Sequence, residues 1–180
     1  MIGNGQTNNI IIKPEFAVYQ PLSLSGDGTG GFSQAVLGTL GTPIKFYIQP
    51  PETEKYILER MNIHAIDGNW NNALQYGALG GALTNGIRIY VERDETIIRE
   101  YTEFVKIKRT HDWALLAGVD SVNIGGAVAD PLLVRWTFGL GCSDIELDGS
   151  KLERLVLLIQ DDLTGLDDQI ALVQGCRKVL

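Results

Sequence analysis

Acidic side chains concentrate near the C-terminus of the chain. Asp144, Glu146 and Asp148 alternate ahead of Gly149, the spacing that opens a calcium-binding EF-hand loop. The twelfth position of such a loop holds a bidentate glutamate, and here it is Leu155. Aspartates in turns also bond their own backbone. We therefore predict turn-forming aspartates and no metal site, with calcium held between several loops as the alternative; the further aspartates concerned are Asp161, Asp162, Asp167 and Asp168.

A glycine-rich stretch near the N-terminus has the form of a phosphate-binding motif. Gly26-Asp27-Gly28-Thr29-Gly30-Gly31 satisfies G-x-G-x-x-G, which lets a backbone approach a pyrophosphate at the start of a helix. Gly38 and Gly41 interrupt the segment in which that helix would have to run. The stretch therefore indicates a flexible linker, and we expect no cofactor.

The sequence contains few residues that could catalyse hydrolysis. His64 and His111 are the only histidines, with Asp67 and Asp112 nearby, and no G-x-S-x-G elbow is present. Both histidines are expected to be hydrogen bonders facing solvent, and nothing selects the carboxylate pair of a glycosidase. A net charge of −7, from 15 basic and 22 acidic residues, disfavours binding to phosphate backbones. We expect neither an enzyme nor a nucleic-acid partner.

The cysteines and the N-terminus indicate in which cellular compartment the protein is expected. Cys142 and Cys176 lack metal-ligand spacing, so they are expected to be ordinary thiols. No basic and apolar leader opens the chain, and no apolar run is long enough to span a bilayer. We therefore expect no membrane partner and assembly in the cytoplasm.

The elements that would position these residues are short strands. Apolar residues alternate with polar ones over most of the chain after residue 43, which predicts half-buried strands. Residues 152–163 fit both a helical stripe and a strand, and the flanking Asp148-Gly149 and Thr164-Gly165 breaks favour the strand. One short helical turn is expected at residues 112–117. The pattern predicts an all-β antiparallel β-sandwich, jelly-roll-like, with strands near residues 44–48, 57–65, 87–91, 105–107, 132–138, 152–163 and 170–174.

Residues 1–43 form a compositional unit of their own. They hold only three charged side chains, Lys13, Glu15 and Asp27, among many Gly, Ser, Thr and Asn. We predict an extended arm over residues 1–43 and a β-sandwich domain over residues 44–180. The arm lies either on its own domain as an edge strand or on a neighbouring subunit, and it is expected to contribute more to assembly than to folding.

Exposed aromatic and apolar side chains are the candidates for an assembly interface. Trp70 and Tyr76 fall in a Gly- and Asn-rich loop, where aromatics can anchor a protein interface or stack on sugar rings. Apolar residues of the arm lack the periodicity of a core. The predicted interface comprises Ile10, Ile11, Ile12, Phe16, Tyr19, Leu22, Trp70 and Tyr76.

The C-terminal third resembles small virion proteins of tailed bacteriophages. The resemblance lies in the segments 132–138 (LLVRWTF), 145–149 (IELDG), 160–166 (QDDLTGL) and 173–175, together with the Thr84–Ile87 turn and the Gly-rich arm. It implies a jelly-roll decoration or cement protein that sits as a homotrimer on the capsid surface and binds the major capsid protein. It brings no catalytic residues. A glycan-binding tail or fibre module of a phage particle is the alternative.

Overall fold

The computed structural model describes residues 15–29, 37–67, 84–101, 119–121, 131–137, 145–164 and 166–180. In this part of the chain the elements are strands and one turn of 3-10 helix at Gly149–Lys151, and no helix is long and apolar enough to cross a membrane. The strands are β1 (Glu15–Pro21), β2 (Ile44–Ile48), β3 (Glu54–Asp67), β4 (Ile87–Arg93), β5 (Thr96–Glu100), β6 (Val119–Ser121), β7 (Pro131–Thr137), β8 (Ile145–Asp148), β9 (Glu153–Ile159) and β10 (Leu166–Val179).

The strands form two antiparallel sheets. The larger has the order β1-β10-β3-β7-β6, and β8 pairs with the N-terminal half of β3 beside β7. The smaller has the order β2-β9-β4-β5. One cluster of buried apolar side chains draws on both sheets, because alternate residues of every strand point to the same face. The predicted all-β sandwich is confirmed.

The burial of strand β9 explains why residues 152–163 fit both a helical and a strand pattern. Leu155, Leu157 and Ile159 lie in the core between the sheets. Val156 and Leu158 are also buried, in a second cluster with Tyr90 on the opposite face of the smaller sheet. A strand buried on both faces has a continuous apolar run rather than an alternating one. The expectation of a strand at residues 152–163 is confirmed, and the strand itself covers Glu153–Ile159.

A β-bulge divides β3 into two halves. Leu58 and Met61 both face the core although they are three residues apart, because the pairing with β10 shifts by one residue at Glu59. Gly175 lies opposite this bulge, where an added Cβ would come within 2.0 Å of the carbonyl oxygen of Ile57. A glycine is therefore required for β10 to follow the bent strand.

The N-terminal region is part of the sandwich from Glu15 onward. β1 pairs with β10 along its whole length, and Val18 and Leu22 lie in the central core. Of the two placements expected for the arm, residues 15–21 adopt the edge strand of their own domain. The expected boundary at residue 44 therefore needs correction, because residues before it supply core side chains; residues 1–14 lie outside the described part.

The other predicted strands divide into two groups. Those near residues 44–48, 57–65, 87–91, 132–138 and 170–174 are confirmed as β2, β3, β4, β7 and β10. β7 pairs with β3 so that Trp136 lies opposite Met61. The strand expected at residues 105–107 and the helical turn expected at residues 112–117 lie outside the described residues.

Candidate functional site

Residues 22–29, here called the crossover segment, connect the two sheets at one side of the sandwich. The amide of Leu22 donates to the carbonyl of Ala171 in the larger sheet at 2.8 Å. Ser23 and Tyr47 then exchange two backbone hydrogen bonds, at 3.0 and 2.9 Å, along the edge of β2 in the smaller sheet. The crossover segment therefore covers the outer edge of β2.

The loop within the crossover segment is ordered by its own side chains. Oδ1 of Asp27 accepts hydrogen bonds from the Ser25 hydroxyl at 2.5 Å, the Thr29 amide at 2.9 Å and the Thr29 hydroxyl at 2.7 Å. These donors hold the pKa of Asp27 at about 2, below its ordinary 3.8, so the carboxylate is ionised at neutral pH. The flexible linker expected here is corrected by this bonding, which fixes the described residues of the motif.

Gly26 fixes the loop against Tyr47. Its φ is +75°, and an added Cβ would lie 1.9 Å from Cε2 of the Tyr47 ring, so both conformation and space require glycine. The Tyr47 hydroxyl donates to the carbonyl of Ser25 at 3.0 Å. The guanidinium of Arg154 lies 4.7 Å from the centre of the same ring, a distance at which cation–π attraction operates.

A shallow depression of about 340 Å³ lies beside this loop. One wall presents the polar groups of Ser25, Asp27 and Gln49. Burial raises the pKa of Tyr56 above 10.0, and the nearby Glu54 adds to the shift, so its phenol stays protonated at neutral pH. The depression thus combines hydroxyl, carboxylate and amide groups with apolar ring surface; its lining is Ser25, Gly26, Asp27, Gln49, Pro50, Pro51 and Tyr56.

A second depression, of about 200 Å³, lies at the turn between β4 and β5. Asp94 and Glu95 form that turn, and both have positive φ, which a type I′ hairpin turn demands and which Asn and Gly usually supply. Leu152 in the same lining also has positive φ. Glu95 lies 3.8 Å from Arg154. This turn carries backbone strain, and its polar groups are surface charges.

The buried carboxylates of the smaller sheet are compensated by basic residues. The side chain of Glu92 is buried and lies 3.1 Å from Nζ of Lys45, and it also accepts a hydrogen bond from Arg154. Glu153 is paired with Arg93 and accepts from the amide of Asp148 at 2.9 Å. These partners compensate the buried charges, and removing one of them would leave an unpaired charge in the protein interior.

Two of the aspartates predicted to form turns do so. Asp148 accepts from the amide and hydroxyl of Ser150 at 3.1 and 2.6 Å. Asp162 accepts from the amide and hydroxyl of Thr164 at 2.9 and 2.5 Å. The buried Asp161 accepts from the amides of the Asn85-Gly86 turn. The turn-forming interpretation is confirmed for Asp148 and Asp162, whereas Asp161 bonds a turn that lies far away in the sequence. No group of three acidic, His or Cys side chains among the described residues is arranged to hold a metal.

The residues predicted for the assembly interface fall into three groups. Phe16 and Tyr19 of β1 are exposed, at 45% and 65%. Leu22 is 1% exposed, so its assignment to an interface is corrected: it packs in the core because the chain crosses between the sheets at that point. The remaining five, Ile10, Ile11, Ile12, Trp70 and Tyr76, lie outside the described residues.

The sequence reasoning missed other surface features. Leu24, Leu37 and Leu40 are exposed apolar side chains that lie among Gly, Ser and Thr and were not selected as interface residues. The Ser-x-Asp-x-Thr spacing at residues 25–29 was the available signal for an ordered turn. His64 belongs to β3, but its side chain, like the whole of His111, lies outside the described part.

Comparisons with family models, curated proteins and solved structures find no match for this chain.

Proposed function

We propose that the chain is a virion structural protein, a capsid decoration protein whose sandwich is a jelly roll. The order of strand pairing is the observation that carries this proposal. β1 pairs with β10, β2 with β9, β3 with β8 and β4 with β5. The first strand thus meets the last and these pairs are nested inward, as in one long hairpin rolled into two sheets, with β6 and β7 as an additional pair beside β3. Jelly rolls of this kind form viral capsid and lectin domains.

The surface near the N-terminus supports binding to a large protein assembly. Apolar side chains are exposed on β1 and on the segments that follow it: Phe16, Tyr19, Leu24, Leu37 and Leu40. Within the described residues β1 pairs with β10 alone, so its outer edge can accept a strand from a partner. The partner is the major capsid protein, and the protein acts on the capsid surface as a homotrimer.

A structural role agrees with the use of the buried charged groups. Glu92, Glu153 and Asp148 are engaged in ion pairs and backbone hydrogen bonds, which stabilise the sandwich. Such groups have their lone pairs committed to the fold. A protein that binds a lattice needs contact area and rigidity, and this arrangement supplies rigidity.

Quantitative mass spectrometry of purified particles tests the proposal. A protein that follows a symmetric shell should be present on the order of hundreds of copies per particle. A few dozen copies or fewer would instead indicate the tail or fibre, where a glycan-binding module is the alternative role. If the protein is missing from purified particles, both virion roles are wrong.

Two variants would localise the binding surface. Tyr19→Ser removes an exposed aromatic from β1 and should leave folding intact while weakening attachment to particles. Ile97→Ser, at the exposed edge strand β5, is the matched control and should attach normally. Equal attachment of Tyr19→Ser and the wild-type protein would contradict a role for β1 in assembly.

A further inference from the structure

The loop over residues 23–29 combines surface exposure with an unusual degree of order. Ser25, Asp27 and Thr29 are exposed, yet their side chains are held by the hydrogen bonds to Asp27 described above. The amide of Gly28 donates to Oγ of Ser23 at 3.3 Å, and the amide of Gln49 donates to the carbonyl of Gly26 at 3.0 Å. Groups fixed in this way lose little conformational entropy when a ligand binds.

The fixed groups leave a specific set of atoms open to a ligand. All three hydrogen bonds from Ser25 and Thr29 end on Oδ1 of Asp27. Within the described residues no donor bonds Oδ2, whose lone pairs are the ones proposed to accept from a ligand. The Gln49 side chain makes no hydrogen bond within the described residues, and its amide is both a donor and an acceptor. Ionised carboxylate, amide and hydroxyl together match a ligand whose groups both donate and accept.

The remaining walls of the depression are apolar ring surface. Pro50, Pro51 and Tyr56 line it; of these, Pro51 is exposed, while Pro50 and Tyr56 are buried. A volume of about 340 Å³ lies at the lower end of the range for small-molecule sites. The negative charge of Asp27 at neutral pH disfavours phosphates and other anions by charge repulsion. The site therefore suits an uncharged ring that has hydroxyl groups on its rim and C–H groups on its face.

We propose that the depression formed by Ser25, Asp27, Gln49, Pro50 and Pro51 binds a neutral saccharide. One ring packs its C–H face on the exposed Pro51 and donates hydroxyl hydrogens to Oδ2 of Asp27, while the Gln49 amide bonds a neighbouring hydroxyl. This activity goes beyond capsid attachment. A particle that carries many copies would bind a surface displaying such saccharides more tightly than one copy does.

The test uses the full chain on an array of neutral oligosaccharides built from glucose, galactose, mannose and N-acetylglucosamine, with hits measured by calorimetry. Gln49→Ala removes a half-buried side chain that makes no hydrogen bond within the described residues, and Asp27→Asn removes the charge. Each should weaken binding about tenfold or more, since a lost hydrogen bond to a charged or buried polar partner has that effect.

Asp162→Asn is the matched control. Asp162 and Thr164 form the same Asp-x-Thr turn as Asp27 and Thr29, but Asp162 lies outside the depression. This variant should bind saccharide as the wild-type protein does. No binding to any neutral saccharide would overturn the proposal, as would saccharide binding that survives both Gln49→Ala and Asp27→Asn, or binding only of basic peptides through Asp27.

The outcome is independent of the proposed capsid role. Saccharide binding is measured on the isolated protein, whereas the capsid role is measured by copy number in particles. A protein present at high copy that binds no saccharide would keep the first proposal and lose this one. The reverse result would place a saccharide-binding protein outside the capsid shell.

Discussion

The two edges of the smaller sheet are built in opposite ways. At the β2 edge the crossover segment adds backbone hydrogen bonds to Tyr47 and Gln49, and the same stretch of chain sends Leu22 into the core. At the β5 edge Ile97 is 42% exposed, and Ile98 is left unpaired in a bulge opposite β4. The β2 edge is therefore paired at its C-terminal end with the protein's own chain, while within the described residues the β5 edge has only its bulge and turn charges as protection.

The difference teaches that composition alone is a poor guide to structural importance. The crossover segment contains one charged residue and several glycines and serines, which resembles a linker. The β5 edge, Thr96–Glu100, contains two consecutive isoleucines and two charged residues, which resembles a strand of the sandwich. The first nevertheless contributes to the core of the sandwich, and the second lies at its margin.

The largest effect is expected from truncation into β1. Removing residues 1–22 deletes the partner of β10 together with Val18 and Leu22, and the loss should exceed the roughly 2–5 kcal/mol of a single core truncation. Removing residues 1–14 keeps every contact described here. Urea unfolding should show a cooperative transition for the shorter deletion only; a cooperative and equally stable product of the longer deletion would restore the arm interpretation.

Two leucines of the crossover segment provide the next contrast. Leu22→Ala should lower the free energy of unfolding by about 2–5 kcal/mol, because it opens a cavity in the core. Leu24→Ala, at a residue that is 66% exposed, should cost less than about 0.5 kcal/mol. Chemical denaturation measures both values, and similar losses would show that the segment is not seated as described.

Gly26 gives a smaller effect at the same edge. Gly26→Ala forces a positive φ on alanine and pushes its Cβ into Tyr47, so about 1–3 kcal/mol of stability should be lost. Gly41→Ala, where an added Cβ meets nothing within 4 Å, is the control and should leave stability unchanged or slightly higher. Thermal melts of the two variants that coincide would contradict the packing of Gly26 on Tyr47.

The β5 edge should respond in the opposite direction. Glu95→Gly relieves a positive φ of 61° in the β4–β5 turn and should stabilise the protein by about 1 kcal/mol. The ion pair lost with Arg154 is long and exposed, so it subtracts little. Glu95→Ala keeps the strain and should show no gain. A loss of stability in Glu95→Gly would mean that the glutamate has a role beyond the turn.

The stability contributed by Asp27 at the β2 edge is expected to be lost in acid. The pKa of Asp27 is lowered from 3.8 to about 2 by hydrogen bonds from Ser25 and Thr29. A lowered pKa contributes stability that is complete above the unfolded value and disappears as the pH falls from about 4 towards 2. Asp27→Asn should therefore flatten this part of the stability curve, measured by urea unfolding. Parallel curves for the variant and the wild-type protein would disprove the contribution.

Local patterns predicted most of the strands but not how the chain joins the sheets. Alternation located β2, β4 and β7, and turn signals decided β9 against a helix. The bulge at Glu59 reverses the inward face of β3, and no local pattern announces it, because it depends on the pairing with Gly175. Burial of Leu22 likewise depends on where β10 and β2 lie in space.

The sequence predicted the local turns near the candidate site but not the depression itself. Aspartates that bond their own turns follow from local chemistry, and Asp148 and Asp162 behave in that way. The depression itself brings residues 25–27 next to residues 49–51 and 56. That contact arises from the crossover between sheets, which a one-dimensional pattern does not encode.

Amide hydrogen exchange tests most directly whether the crossover segment belongs to the fold. The amides of Leu22, Ser23 and Tyr47 are hydrogen-bonded at 2.8, 3.0 and 2.9 Å, and we expect their protection to fall in the same class as that of the buried strand β9. If Leu22 and Ser23 exchanged as fast as an unstructured peptide while β9 stayed protected, the segment would be a separate arm and the account of the β2 edge would be wrong.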